Sequence, residues 1–399
     1  MQSSSSASIA QMVMDKTGST PRFPDTGIYA HIVGWGMSVP DTKLTNEDLS
    51  AIVDTNDEWI TTRTGIKERR IASTSESTAT LGLRAAQKAL DVANLLPTEI
   101  DMVICATSTP EYIFPSTASL IQAWLGAVNA GAFDLSAACS GFVYAVNMAA
   151  QAIKSGSIRT AVVIGAETMS RVVDWQDRGT CILFGDGAGA VVLKASAVEG
   201  GILSSVLRSD GTGGDLLGIP TVGSIDLEDS ETSGANGHKM WKMHMEGGEV
   251  FKFGTRVISE SIPQALKEAG LKVEDLKLIV PHQANSRIIK AAARSLKIDE
   301  EMFMSNIDRY GNTSAASIPI ALCEAIEKGR VKENDVIAFI GFGGGLAWAS
   351  MIVKWGVPHE PPARNVMLRQ RRQIIFQFAK WRTRLIRFTR QIGRFFSSE

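Results

Sequence analysis

The chain has 399 residues, 44% hydrophobic and 21% charged, with a formal net charge of −1. That is ordinary composition for a soluble globular protein, with room for two domains or one large duplicated core. Four widely spaced cysteines without a C-x-x-C pair argue against a disulfide framework or zinc site and for a reducing, cytoplasmic setting. No apolar run reaches membrane-span length, and the first residues lack a secretory pattern. The charge is uneven: residues 358–399 carry a net +8, leaving the remainder about −9.

Residues 1–26 are Ser-rich and read as a disordered leader. A short strand over 28–33 follows, then a helix start at Thr45-Asn-Glu-Asp-Leu-Ser50. Helical spacing over 79–93, a buried strand over 102–106 and a helix over 114–125 come next. A strand over 133–137, a helix over 142–153, and strands over 160–165 and 188–193 complete the first part. Alternating strands and helices indicate an α/β fold.

An internal repeat sharpens this. Residues 89–95 match 265–271 at an offset of 176, and the strand 100–104 overlays 276–280. Residues 152–156 match 325–329 at an offset of 173. Two similar halves follow, 27–200 and 201–357, with a basic tail over 358–399. Carried back without gaps, the second offset sets Cys139 upon Asn312.

Cys139 stands in Asp134-Leu-Ser-Ala-Ala-Cys-Ser-Gly-Phe142, a strand-to-helix turn of small residues. A thiol at a helix N-terminus meets unpaired N–H groups and the positive dipole end, which favour thiolate. His282 and Asn285 follow a strand directly, where ligands collect in α/β folds. Asn312 lies in a polar turn before a helix, and Gly343-Gly-Gly345 ends an apolar strand. Gly185-Asp-Gly-Ala-Gly189 leads into a strand and is not a dinucleotide fingerprint. With no Walker A pattern, no H-E-x-x-H and no metal-ligand cluster, neither a cofactor, a metal nor a nucleic-acid partner is expected.

These motifs, with Asp54-Thr-Asn-Asp-Glu-Trp59-Ile, Arg63-Thr-Gly-Ile66, Asp177-Arg-Gly-Thr180 and Gly311-Asn-Thr-Ser-Ala-Ala-Ser317, resemble the thiolase-fold condensing enzymes. Specifically, residues 27–355 are similar to the β-ketoacyl-acyl-carrier-protein synthase III family. The resemblance implies a five-layered αβαβα fold and a Cys139–His282–Asn312 site. Its reaction is decarboxylative condensation of an acyl-CoA primer, acetyl-CoA in the first instance, with malonyl-carrier protein. It also implies an oxyanion hole from the N–H groups of Cys139 and Gly344. Coenzyme A contacts would come from Trp59, Arg63, Arg178 and Asn285, and carrier-protein contacts from Arg287 and Arg294. In a homodimer, Phe114 would reach the partner's acyl pocket.

A related acyltransferase, a condensing enzyme of specialised metabolism and a non-catalytic acyl-CoA-binding scaffold remain alternatives. Residues 220–241 are longer and more acidic than the family leads one to expect. In the tail, Ile374, Phe378, Trp381, Leu385, Phe388, Ile392 and Phe395 fall on one helical face amid arginines, which suits a membrane surface or a partner over 364–396.

Overall fold

The computed structural model describes residues 27–220, 239–356 and 366–396, so the leader and residues 221–238 of the acidic segment lie outside the described residues. The first sheet comprises β1 (Tyr29–Ser38), β2 (Met102–Ala106), β3 (Gly131–Leu135), β4 (Thr160–Thr168) and β5 (Asp186–Ser196), in the order β1-β5-β4-β2-β3. Strand β2 lies parallel to both β3 and β4, while β5 runs antiparallel to β4 and β1. The second sheet comprises β6 (Gly201–Ser209), β7 (Leu276–Pro281), β8 (Val336–Gly343) and β9 (Ala347–Lys354), in the order β7-β8-β9-β6. It repeats the first sheet's pairing senses, β7 with β8 parallel and β9 antiparallel to its neighbours. The place of a fifth strand is taken by a single bridge between Ile279 and Phe303.

Strand periodicity explains the layering. Ala161 and Val163 of β4 point into a central layer with Phe142, Val146, Ile318 and Leu322. Val162 and Ile164, between and after them, face an outer layer. The central layer holds two helices buried along most of their length, α4 (Gly141–Lys154) and α7 (Ser317–Glu327). The first sheet is covered outside by α2 (Thr78–Ala93) and α3 (Thr117–Leu125), and the second by α5 (Gly247–Glu268) and α6 (Ser286–Leu296). The short α1 (Asp57–Thr64) flanks the body, and α8 (Val366–Phe396) packs on α3. The architecture is the five-layered αβαβα fold built from two similar halves.

Two expectations shift. The helix expected from residue 114 begins at Thr117, because Pro115 precedes Ser116, whose side chain caps Ser119 N–H. The repeat holds at an offset of 176 at the central turns, since 3₁₀ turns occupy Ala138–Ser140 and Ser314–Ala316. Helix α7 has 11 residues against 14 in α4, which produces the local offset of 173. The positional counterpart of Cys139 is therefore Ala315, and Asn312 enters the site from three residues earlier.

Candidate active site

Cys139 sits where β3 hands the chain through the Ala138–Ser140 turn to α4. Ala138 takes φ 45° and its counterpart Ser314 φ 47°, left-handed values that L residues adopt at a cost of about 1–3 kcal/mol. The turn is pressed against the end of β8. A Cβ on Gly341 would lie 2.8 Å from Ser140 Cα, and one on Gly343 would lie 3.0 Å from Cys139 Cβ and 3.1 Å from its Sγ. Glycine is thus what lets the thiol meet this strand end.

The Sγ donates to Ser314 Oγ at 3.5 Å. Burial pushes the thiol up to about 12, outweighing the hydrogen bond to Ser314, and the Glu167 carboxylate adds to the rise. Loss of hydration therefore opposes the helix terminus that favours thiolate.

His282 follows β7 directly and is 2% exposed. Its N–H donates to Ile340 O at 2.7 Å, and its Nδ1 is hydrogen-bonded to Ser317 Oγ at 2.7 Å. The ring stands edge-on to Phe342, centroids 5.3 Å apart. Burial lowers its pKa to about 3, so the imidazole is neutral at physiological pH.

Asn312 is fixed by its own backbone, its N–H donating to Leu183 O at 2.8 Å and its carbonyl accepting from Gly185 N–H at 3.0 Å. Its Oδ1 accepts from Ser314 N–H at 2.8 Å, which leaves the amide hydrogens free to donate. The preceding turn is anchored on α7, where Arg309 grips Glu324 through two bonds of 2.6 Å and Tyr310 donates to the same carboxylate at 2.8 Å.

Cys139, His282, Asn312 and Gly344 all line one cavity of about 1760 Å³, together with Trp59, Arg63 and Asn285. At its mouth the Arg63 and Arg178 guanidiniums lie 4.4 and 5.2 Å from the Trp59 ring centroid. Asn285 caps α6 and donates to Arg63 O at 3.0 Å, joining the two halves at this point. Arg178 also donates to Asp54 O at 3.0 Å. Arg287 and Arg294 are exposed on α6. Phe114, 84% exposed in the loop before α3, stands clear of its own chain's cavity lining. Trp241, the last residue of the acidic segment, and Met243 line the cavity.

Sequence reasoning passed over Ser314 and Ser317, which touch the cysteine and the histidine, although both lie inside a quoted motif. Lys290, exposed between Arg287 and Arg294, adds a third cation to that face of α6. Glu167 was missed as well: fully buried, it accepts from Ser108 N–H and the Thr107 and Thr109 hydroxyls, and burial raises its pKa. A single glutamate in a strand pattern carries no such signal.

A cysteine turn, a buried neutral histidine and an oriented asparagine in one cavity of this fold characterise thiolase-fold condensing enzymes. The model of 3-oxoacyl-[acyl-carrier-protein] synthase III matches residues 133–211, and that of its C-terminal part matches 266–355. A beta-ketoacyl-[acyl-carrier-protein] synthase III of Caldanaerobacter subterraneus is 51% identical over 328 residues, 82% of this chain and 98% of the relative. The crystal structure of 3-oxoacyl-[acyl-carrier-protein] synthase III from Aquifex aeolicus superposes with a TM-score of 0.75 at 48% identity, covering 82% of this chain and 100% of that one. The priming beta-ketosynthase of the R1128 polyketide pathway gives 0.76 at 37% identity, covering 83% and 97%. The chain belongs to the β-ketoacyl-acyl-carrier-protein synthase III family and is an acyltransferase of the condensing type that serves fatty-acid synthesis.

Proposed function

We propose that this chain joins an acyl-CoA primer, acetyl-CoA in the first instance, to malonyl-acyl-carrier protein through an acyl-Cys139 intermediate. In the first half-reaction the Cys139 sulfur attacks the thioester carbonyl and the C–S bond to coenzyme A breaks. The thiol proton ends on the departing coenzyme A, so the exchange is neutral overall. The N–H groups of Cys139 and Gly344 receive the oxyanion, and the contact between Gly343 and Cys139 supports this by bringing the Gly-rich strand end to the sulfur.

In the second half-reaction malonyl-carrier protein loses its carboxylate as CO₂ and leaves an enolate on the thioester. The enolate oxygen takes hydrogen bonds from His282 Nε2 and Asn312 Nδ2. The carbanion attacks the Cys139 acyl carbon, expelling the thiolate, which takes a proton from water. The observation that carries this reading is the pair of fixed donors. Ser314 N–H holds Asn312 Oδ1, and Ser317 Oγ engages His282 Nδ1 and also accepts from Gln283 N–H at 3.4 Å. The tautomer protonated at Nε2 is the one that serves, and neutrality suits a donor rather than a proton carrier.

Coenzyme A would lie along Trp59, Arg63, Arg178 and Asn285, adenine stacking on the indole and guanidiniums meeting phosphate. The exposed cations Arg287, Lys290 and Arg294 suit an acidic carrier protein. Among the described residues edge strand β3 has a neighbour on one side only, and Ile113 and Phe114, in the loop before the helix whose first N–H groups bond Asp134 of β3, are 70% and 84% exposed, which supports a homodimer with Phe114 entering the partner's acyl cavity. Four free, buried cysteines suit a cytoplasmic enzyme. A priming role in a specialised pathway uses the same chemistry, and likeness to the polyketide priming enzyme keeps it in view. A panel of acyl-CoA primers with malonyl-carrier protein tests the reading. Fastest turnover with acetyl-CoA is expected, and preference for a long or branched primer would move the enzyme to another pathway. In Asn312→Ala, CO₂ release should fall by about 10²–10³ while acylation persists.

A further inference from the structure

Helix α8 begins beyond residue 355, where the family match ends, and the 328 residues shared with the Caldanaerobacter enzyme already span 98% of that relative. It docks by one face only. Arg372, Phe376 and Ala379 are 3%, 5% and 7% exposed, and Arg372 Nε donates to Asp91 Oδ1 at 2.9 Å. Ile375 comes so close that a Cβ on Gly126 would lie 2.9 Å from it.

The other face is bare. Ile374, Phe378, Trp381, Leu385 and Phe388 are 68%, 58%, 57%, 43% and 59% exposed, and Met367 is 77% exposed. At about 100° per residue they form one stripe on the side away from the docked residues. By the same geometry Arg371 and Arg382 border the stripe on one side and Arg384 on the other. Residues 366–396 hold nine Arg and Lys and no Asp or Glu. Ile392 and Phe395 continue the spacing, but their side chains lie outside the described ones. No described helix is long and apolar enough to cross a membrane.

We propose that α8 seats the enzyme on an anionic lipid surface. The apolar stripe enters the acyl-chain boundary, Trp381 sits at the headgroup level, and the bordering arginines pair with lipid phosphates. Charge selects this occupant: a second copy of the stripe would set the bordering Arg371, Arg382 and Arg384 against the same three cations. Arginines on both borders of a straight stripe match an extended anionic plane.

Flotation of the full chain with phosphatidylcholine vesicles, with and without phosphatidylglycerol, is the test. Roughly tenfold or greater enrichment on the phosphatidylglycerol vesicles, declining with salt, is expected. The double variant Phe378→Glu/Trp381→Glu, at two exposed positions, should lose that enrichment while acylating Cys139 from soluble acyl-CoA at the native rate. Absence of flotation, or equal flotation of the double variant, would overturn the proposal. Equilibrium sedimentation without lipid supplies a second check: a smaller oligomer in the double variant would assign the stripe to a second copy and overturn it too.

Discussion

Gly343→Ala places one methyl group against the reacting cysteine. The added carbon would lie 3.0 Å from Cys139 Cβ and 3.1 Å from both its N and Sγ, where carbon contacts prefer about 3.5–4.0 Å. Gly343 is not among the glycines with positive φ, so steric overlap is the whole perturbation. Cys139 must retreat by about half an ångström toward the packed turn that carries Ser314. Overpacking of this kind costs about 1–3 kcal/mol of stability. A displacement approaching 1 Å at a reacting atom costs up to about 10²-fold in rate. Both half-reactions pass through the same sulfur, so acylation and overall turnover should fall together by roughly tenfold, the retreat being about half of that displacement. Intact-protein mass spectrometry after rapid mixing with acetyl-CoA measures the first, and CO₂ release from malonyl-carrier protein the second. Gly211→Ala, which meets nothing within 4 Å, is the control and should alter neither. A folded Gly343→Ala enzyme that acylates at the native rate would refute the idea that the strand end positions the nucleophile.

Three further outcomes are expected. Iodoacetamide alkylation of Cys139 should quicken about tenfold per pH unit from pH 7 to 9, because a thiol raised to about 12 gains thiolate throughout that window; a plateau below pH 8 would mean the helix terminus prevails over burial. Ser317→Ala should slow decarboxylation by about 10² while sparing primer acylation, because it frees the His282 ring, and a normal CO₂ rate would count against the fixed-donor account. Trp59→Ala should raise KM for the primer about tenfold with kcat within a factor of about two, as loss of stacking and of two guanidinium contacts predicts, whereas a matching drop in kcat would place Trp59 in the chemistry.

The strand at Met102–Ala106 was legible to the residue because its apolar run is bounded on both sides, and the duplication because helix and strand recur together. The register at the site was less so. The offsets of 176 and 173 showed that three residues are lost in the second half, but not that the loss falls inside the helix, which moves the counterpart of Cys139 from Asn312 to Ala315. The environment of the thiol was only half legible: a helix N-terminus can be read from small residues, but the depth of burial that opposes it cannot. In the tail the apolar spacing is that of one helical face, and Ile374, Phe378, Trp381, Leu385 and Phe388 of it face away from the body. Docking instead uses Arg372, Phe376 and Ala379, whose fit depends on Gly126 and Asp91 far away in the sequence.

The central claim, that Cys139 carries the acyl group between two substrates, is tested most directly by mass spectrometry of the intact enzyme. Acetyl-CoA should add one acetyl group, mapped to Cys139. A chase with malonyl-carrier protein should clear it with one CO₂ released per adduct lost. An adduct on another residue, or one that malonyl-carrier protein leaves in place, would contradict the account.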